Sequence, residues 1–469
     1  MNQLLFDRAT GSLDPQSFAR VQTASLIHAT QLSMKIRFDG SEKETTVSSQ
    51  NSSVHSETQI DEGKAKIWAH QLGVNALTIE KFNGKILISG GADSSIKLWD
   101  LEQIPHNTKA TLPLRPYAAV PRTVSSHQYG ITHLSFYPFD SGAFLSSSYD
   151  HHLKLYSTET LQLSADFDLE HIVYHHALSP KADHLLVACA TEYPAVRLTD
   201  LRTGARTHSL AGHRGAVLNV CWHPTIGHIL ASAGVDGTVR VWDVRKSSGS
   251  LGVLNLEDPT GIVGCDGLGQ GARQPNSGKA HDGPVNGLKW TDDGKYVVSA
   301  GHDERIRVWD AATGANTLAS FGPMIKNRHP SHLPLLLSAT NLTAAREELF
   351  FYPNEKELLV FELHEGKLLK RLRVPGPVAN TVRSSTGARN ARHRFTSLAR
   401  RNQVDGIYSG HTDGQIRAWI PRTKDDETED VNEEEERSGR VNDEEGPRRK
   451  RQPLNDVFRD LTRQRITFG

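Results

Sequence analysis

One spacing recurs along this chain and leaves few folds open to it. A serine is followed four residues later by an aspartate, and six residues after that by an aromatic side chain: Ser89/Asp93/Trp99, Ser146/Asp150/Tyr156, Ser232/Asp236/Trp242, Ser299/Asp303/Trp309 and Ser409/Asp413/Trp419. In the first four sets a histidine precedes the aspartate by 22 or 23 residues, at His70, His127, His213 and His281. Matches at one fixed spacing mark a structural repeat. A repeat too small to bury its own apolar face must stack on its neighbours, so the copies are expected to share one continuous core.

The residues around the motif read as short strands. In the set around Asp236, Val217 to Trp222, Ile229 to Ala233 and Thr238 to Trp242 are β-branched-rich runs, separated by Pro224, Gly227 and the Asp236-Gly237 turn. Each unit is therefore expected to be an antiparallel meander. The pattern resembles the WD40 blade, in which the His, Ser, Asp and Trp side chains form a hydrogen-bonded chain tying the blade's turns to its inner strands. Two degenerate units fill the gaps in spacing. Residues 171–200 carry Leu185 to Ala188 and Val196 to Leu198 but have Thr199 in place of the aromatic, and read as blade three. Between Trp309 and Trp419, Leu335 to Leu337, Leu349 to Phe351 and Leu358 to Phe361 supply a sixth. The expected fold is all-β: a seven-bladed WD40 β-propeller over 32–421, with an N-terminal helical segment at 1–31 and a disordered, charged tail at 422–469.

A propeller must close, or its first and last blades expose edges. Leu32, Met34, Ile36 and Phe38 alternate with Ser33, Lys35 and Arg37 ahead of the first blade. That alternation predicts a half-buried strand serving as the outer strand of blade seven. Three polar stretches, 41–64, 252–279 and 380–394, read as mobile loops between strands.

Composition excludes several classes of function. Cys189, Cys221 and Cys265 lie 32 and 44 residues apart, which offers neither a CxxC pair nor a disulfide framework and suits a reducing compartment. No run approaches the roughly 18 apolar residues of a membrane span, and the first ten residues lack a secretory core, so a soluble intracellular protein is expected. The formal net charge is zero, and residues 422–451 hold 12 acidic against 8 basic side chains, leaving about four positive charges on the rest. That balance does not advertise a surface built to coat nucleic acid. No GxSxG, Walker loop or HExxH motif is present, so catalysis is not expected. The adjacent pairs His151-His152 and His175-His176 do not suggest a metal, because neighbouring strand residues point to opposite faces and no cysteine is near in sequence. No cofactor is expected.

Segments outside the repeat narrow the reading. Tyr137-Pro138-Phe139-Asp140-Ser141-Gly142 followed by Ser146-Ser147-Ser148-Tyr149-Asp150 resembles the second blade of the Cockayne syndrome A family, and Val173 to Pro180 resembles its third. Arg8, Thr10, Gly11, Asp14 and Pro15 fall where that family has Arg, Thr-Gly and Asp-Pro. The resemblance covers roughly 1–421, while the three polar inserts and most of the tail depart from it. It implies a substrate receptor of a cullin-4 RING ubiquitin ligase acting in transcription-coupled nucleotide excision repair. The implied partners are a triple-propeller damaged-DNA-binding adaptor, cullin-4 and a RING subunit, together with a Cockayne syndrome B type ATPase and stalled RNA polymerase II.

Asp14-Pro15 is a sound helix start, with Phe18, Val21 and Ala29 on one face. That face either packs on its own propeller or docks a partner. The resemblance implies docking through Leu5, Phe6, Arg8, Phe18 and Val21. Arg245, in Trp242-Asp243-Val244-Arg245, is expected on one rim, where an exposed arginine is a favoured interface residue. Arg202, in Asp200-Leu201-Arg202, shares part of that pattern. Arg448, Arg449, Lys450 and Arg451 read as a nuclear-import signal or, equally simply, as a solvated basic cluster. Direct binding to damaged DNA and a nuclear scaffold without ligase association remain as alternatives.

Overall fold

Strand formation follows the side-chain pattern unit by unit. The computed structural model describes residues 2–421 apart from 34–35, 42–67, 104–112, 182–183, 205, 247–249, 257–277, 331, 340–342, 344–346, 375–393 and 402–405. Blade one is built from Val74–Ile79, Ile86–Gly91, Ile96–Asp100 and Ala118–Val120. Blade two follows with Ile131–Phe136, Ala143–Ser148, His152–Ser157 and Leu163–Asp168, and blade three with Val173–Leu178, Leu186–Thr191, Ala195–Asp200 and Arg206–Ala211. Blade four takes Val217–Trp222, Ile229–Gly234, Val239–Asp243 and Gly252–Leu254. Blade five has Val285–Trp290, Tyr296–Gly301 and Ile306–Asp310, its fourth strand reduced to a bridge between Trp309 and Asn316. Blade six comprises Leu336–Leu337, Leu349–Pro353, Glu357–Glu362 and Leu368–Arg373. Blade seven combines Phe395–Arg400, Ile407–His411 and Ile416–Pro421 with Thr30–Leu32 from the other end of the chain. The molecule is a seven-bladed β-propeller in which the first strand of blade one packs between those of blades seven and two.

Closure differs from the expected strand. The closing segment is Thr30–Leu32, antiparallel to Ile416–Pro421 with Leu32 opposite Trp419. Arg37–Phe38 instead pairs in parallel with Pro113–Leu114. The departure has a packing reason: Phe38 is needed in the wedge between blades seven and one, edge-on to Trp99 at 5.1 Å and to Tyr408 at 6.1 Å. The stretch read as a loop from Gly252 likewise begins with a strand, because Val253 and Leu254 are buried, Leu254 within the core shared by blades four and five.

The repeated polar residues form one connected chain in each well-kept blade. In blade four, Trp242 Nε1 donates to Ser232 Oγ at 2.7 Å, and Ser232 Oγ meets His213 Nε2 at 2.7 Å. His213 Nδ1 lies 3.2 Å from the Asp236 carboxylate. A carboxylate only accepts, so Nδ1 carries the ring proton and Nε2 accepts from the serine hydroxyl. Asp236 also accepts from the amides of Arg214 at 2.9 Å and Thr238 at 3.1 Å and from the Thr238 hydroxyl at 2.8 Å. The same contacts recur at His70/Ser89/Asp93/Trp99 and His281/Ser299/Asp303/Trp309. Blade two keeps His127, Ser146 and Asp150 but puts Tyr156 in the aromatic position, whose hydroxyl is buried without a partner. Blade seven has Trp419 on Ser409 at 2.8 Å, but its histidine is His411, only two residues on and 2.8 Å from Ser409 Oγ, while Asp413 pairs with Arg417. The four tryptophans are at most 1% exposed. At roughly 25 cal/mol per Å2 over about 200 Å2, each contributes on the order of 5 kcal/mol of transfer free energy before entropy is counted.

At two junctions the turn of one blade also grips the next. The amides of Ala280 and His281 donate to Gly237 O, and those of Ala69 and His70 donate to Gly414 O across the seam between blades seven and one. Both glycines have positive φ, +78° and +79°, and a Cβ on either would strike the backbone of the following blade's histidine.

Two predictions follow from this network. Asp236→Ala leaves buried donors unpaired and should cost roughly 1–3 kcal/mol in urea or guanidinium unfolding. Burial opposes ionisation of Asp93, Asp236 and Asp303, but hydrogen bonds from their histidines and neighbouring groups outweigh it and hold them below the ordinary carboxylate range. Their contribution is complete above the unfolded value of about 3.9 and drains away as pH falls below it. Burial also lowers His70 and His281, despite their aspartate partners, so their neutral forms contribute fully above about pH 6.5 and less below. Unfolding free energy should therefore decline from about pH 6.5 and more steeply below about pH 4; a flat profile between pH 7 and 4 would contradict the network.

Candidate functional site

Residues that the blade does not require fall in three places: the N-terminal helices, one rim and the central channel. The helical segment expected over 1–31 is two helices: α1 (Asn2–Ala9), whose separate start was not anticipated, and α2 (Pro15–His28), which begins at the Asp14-Pro15 signal. Asp14 caps α2 as expected, its Oδ2 accepting from the amides of Gln16 at 3.1 Å and Ser17 at 3.3 Å. Between the helices Gly11 has φ +75° and the Ser12 hydroxyl donates to Asp7 O at 2.8 Å, closing a tight corner.

The corner folds Arg8 back onto Phe18, with the guanidinium 4.8 Å from the ring centroid. Phe18 is thus buried within this chain, at 6% exposure, and is not part of a free apolar face. Val21 is 40% and Phe6 63% exposed, and these two present apolar surface to solvent. Leu5 lies in α1, its side chain outside the described residues, and Ala29 is the C-cap of α2. The far end of α2 is tied to the propeller: Ile27 and Leu32 pack against the core of blades six and seven, and Lys370 Nζ donates to His28 O at 2.7 Å. The expected single docking face is therefore divided, one part spent on the helix pair and the propeller, the other open.

Arg245 follows the third strand of blade four. Its Nε and Nη2 donate to Asp243 Oδ1 at 3.0 Å and Oδ2 at 2.8 Å, and its amide to Oδ1 at 3.1 Å. The Asp243 side chain is 4% exposed and that of Arg245 64%. The Arg245 hydrogen bonds hold Asp243 below the ordinary carboxylate range. A guanidinium pinned along one edge and open on the other loses less rotamer freedom on binding than a free lysine or arginine would. Arg202 holds the equivalent place after the third strand of blade three, exposed, its amide donating to Asp200 Oδ1 at 2.9 Å. Trp242 is buried and belongs to the frame. Arg448, Arg449, Lys450 and Arg451 lie outside the described residues.

The channel holds what the sequence reading missed. His133 and His175 are each the third residue of their blade's first strand, as is Asn219 in blade four. His175 and His176 do turn opposite ways: His176 is held by Ser135 at 2.8 Å and Ser147 at 3.0 Å. His175 meets His133, with ring centroids 3.9 Å apart, and His332, at 4.2 Å, from the segment leading into blade six. His152 is paired with Asp166 at 2.7 Å. Proximity along the chain was the wrong test for a histidine cluster here. The usable signal was the shared third position in successive first strands, which ring closure brings to one axis.

Among the described residues no helix is long and apolar enough to cross a membrane. The WD domain, G-beta repeat family matches residues 63–100, 119–157, 204–243 and 274–310, which cover blades one, two, four and five and omit the third, sixth and seventh. The WD repeat-containing protein ATCSA-1 of Arabidopsis thaliana is 28% identical over 422 residues, covering 77% of this chain and 88% of that protein. Ribosome biogenesis protein YTM1 of Phaeosphaeria nodorum is 25% identical over 267 residues, and the ribosome biogenesis protein WDR12 homolog of Trichoplax adhaerens 27% over 256. These two are spanned over only about half their length, 55% and 52%.

The helix corner generates a direct prediction. Phe18→Ala removes the surface on which Arg8 rests and should speed tryptic cleavage at Arg20 several-fold, read by mass spectrometry, while leaving the melting temperature of the propeller nearly unchanged. Unaltered cleavage at Arg20 would contradict the packing described. Seven meander blades, the Asp–His–Ser–Trp chain complete in three of them, and repeat matches in four identify a seven-bladed β-propeller that carries WD40 repeats.

Proposed function

We propose that the chain is the substrate-recognition subunit of a cullin-4 RING ubiquitin ligase in transcription-coupled nucleotide excision repair. The observation that carries the reading is the span of the ATCSA-1 likeness, 88% of that protein, against half-length matches to the ribosome biogenesis proteins. A half-length match needs only repeats in common, whereas a near-complete one takes in blades whose repeat signature has been lost. The Cockayne syndrome A features of blades two and three and of the first fifteen residues favour the same role.

In this reading the N-terminal helices and the rim bearing Arg245 and Arg202 bind the triple-propeller adaptor, and the opposite face receives the substrate. WD40 propellers are typically non-catalytic scaffolds. The chain would act by proximity, holding a stalled-polymerase-associated ATPase or the polymerase near a charged ubiquitin-conjugating enzyme and so raising effective concentration. Nuclear residence belongs to the same proposal. Phe6 and Val21 supply exposed apolar contact and Arg245 a preorganised charge, the pairing of residue types found at interface centres.

The Asp243 contact dictates the variant to use. Arg245→Glu would set a second carboxylate against a buried one and lose stability as well as binding, so its effect on capture could not be assigned. Arg245→Gln retains a donor for Asp243 and removes the charge. Together with deletion of residues 2–28, which stops short of the closing strand, it should lower adaptor copurification about tenfold or more, on the order of 1.4 kcal/mol. The melting temperature of Arg245→Gln should stay within a few degrees of the parent. Full adaptor capture by both variants, or copurification with pre-ribosomal particles in its place, would sink the ligase reading.

A further inference from the structure

The geometry points to a three-histidine site for a divalent transition metal of the zinc class, set in the propeller's central channel and formed by His133, His175 and His332. Each ring offers one nitrogen, and the three nitrogens lie within 4.8 Å of one another. They come from blade two, blade three and the entrance to blade six, so the cluster reaches across the channel rather than along one sheet.

The histidines of the blade motif are satisfied on both nitrogens; two of the three channel rings are not. His70, His127, His213 and His281 have an aspartate on one nitrogen and a serine on the other, and His176 has two serines. In the channel, Nδ1 of His133 and Nδ1 of His175 are buried without a hydrogen-bond partner. Among the described residues no acidic side chain joins the cluster. Burial, with the charge of Lys289, pulls the His133 imidazole down to about 3, and burial with the neighbouring rings and Lys289 holds His175 and His332 well below the ordinary histidine range. All three are therefore neutral at physiological pH, and each has a lone pair to give.

A second layer is in place on one side. Asn219 Nδ2 lies 2.8 Å from His332 Nδ1, and Asn219 Oδ1 has no partner of its own. As placed, the amide nitrogen donates to His332 Nδ1 and leaves the ring proton on Nε2; turning the carboxamide so that its unpartnered Oδ1 accepts from Nδ1–H frees Nε2 for a metal, the arrangement usual behind a metal-binding imidazole. Three imidazoles and no carboxylate select zinc, copper or nickel over calcium or magnesium, which take oxygen ligands. Metal–nitrogen bonds of about 2.0–2.1 Å require the nitrogens to draw in by about an ångström from their present spacing, a movement within reach of side-chain torsions. Lys289 nearby opposes a bare cation, so an anion such as hydroxide or chloride is the expected fourth ligand. A metal held this way would staple blades two and three to blade six across the ring.

The test uses the full-length chain, stripped with chelator and dialysed, then titrated with Zn2+ and separately with Co2+. One equivalent of Zn2+ should bind, the melting temperature should rise with the logarithm of free Zn2+, and the Co2+ form should show visible bands of tetrahedral intensity. His175→Ala and His332→Ala should each weaken binding at least tenfold without lowering the melting temperature of the metal-free protein, whereas His152→Ala should bind as the parent does. Failure of the parent protein to retain Zn2+ at micromolar free concentration would overturn the site. So would an octahedral Co2+ spectrum, or undiminished binding in both channel variants. The parent's cobalt spectrum stands whether or not the variants fold.

Discussion

A ring of meander blades depends on closure. Each blade covers the apolar face of its neighbour, so an open end leaves a face and an edge unpaired at once. Here the join is made by two devices. Thr30–Leu32 completes blade seven from the other terminus, and the Gly414 carbonyl holds the amides of Ala69 and His70 across the seam. Phe38, Trp99 and Tyr408 fill the wedge between them. The placement of α2, the axial meeting of His133, His175 and His332, and the relative position of the rim arginines all presuppose that the ring is shut.

Within the closed ring, repeated and unrepeated residues divide the work. In blades one, four and five the Asp–His–Ser–Trp chains tie the turn between second and third strands to the segment entering the first, and so hold those blades rigid against rotation of their outer strands. Rigidity is what a scaffold has to offer, because a surface that does not rearrange gives up little entropy on binding. Function then falls to positions where the blade consensus is silent. Phe6 and Val21 stand outside the ring, and Arg245 leans on Asp243 with its outer edge open. The same separation explains why catalytic machinery is not a natural reading of the repeated Asp and His side chains: in blades one, two, four and five they are committed to one another.

How much could be read in advance depended on whether a feature was local. The five motif sets, the Asp14 cap and the strands of blade six were legible because spacing, capping chemistry and apolar runs are local properties. The closing strand was legible only as an alternation. Its true extent was decided by Phe38, whose partners Trp99 and Tyr408 are remote in sequence, so the pattern from Leu32 to Phe38 reads as one strand and folds as two. Blade seven has no histidine at the spacing of the other four sets, and it takes His411 from within its own hairpin. The burial of Phe18 under Arg8 needed α1, which carries no capping signal strong enough to announce it. Least legible was the channel cluster, since nothing in the neighbourhood of His175 names His133 or His332. Only the circular topology does.

The proposed function has this WD40 frame bind through its N-terminal helices and the rim after the third strands of blades three and four. The decisive measurement is hydrogen exchange of the full chain, alone and saturated with the triple-propeller adaptor. Slowed exchange is expected across residues 2–28 and the loops at 200–204 and 243–246, with the inner strands of all seven blades unchanged. Protection confined to the opposite face of the propeller, with residues 2–28 exchanging as in the free chain, would contradict it.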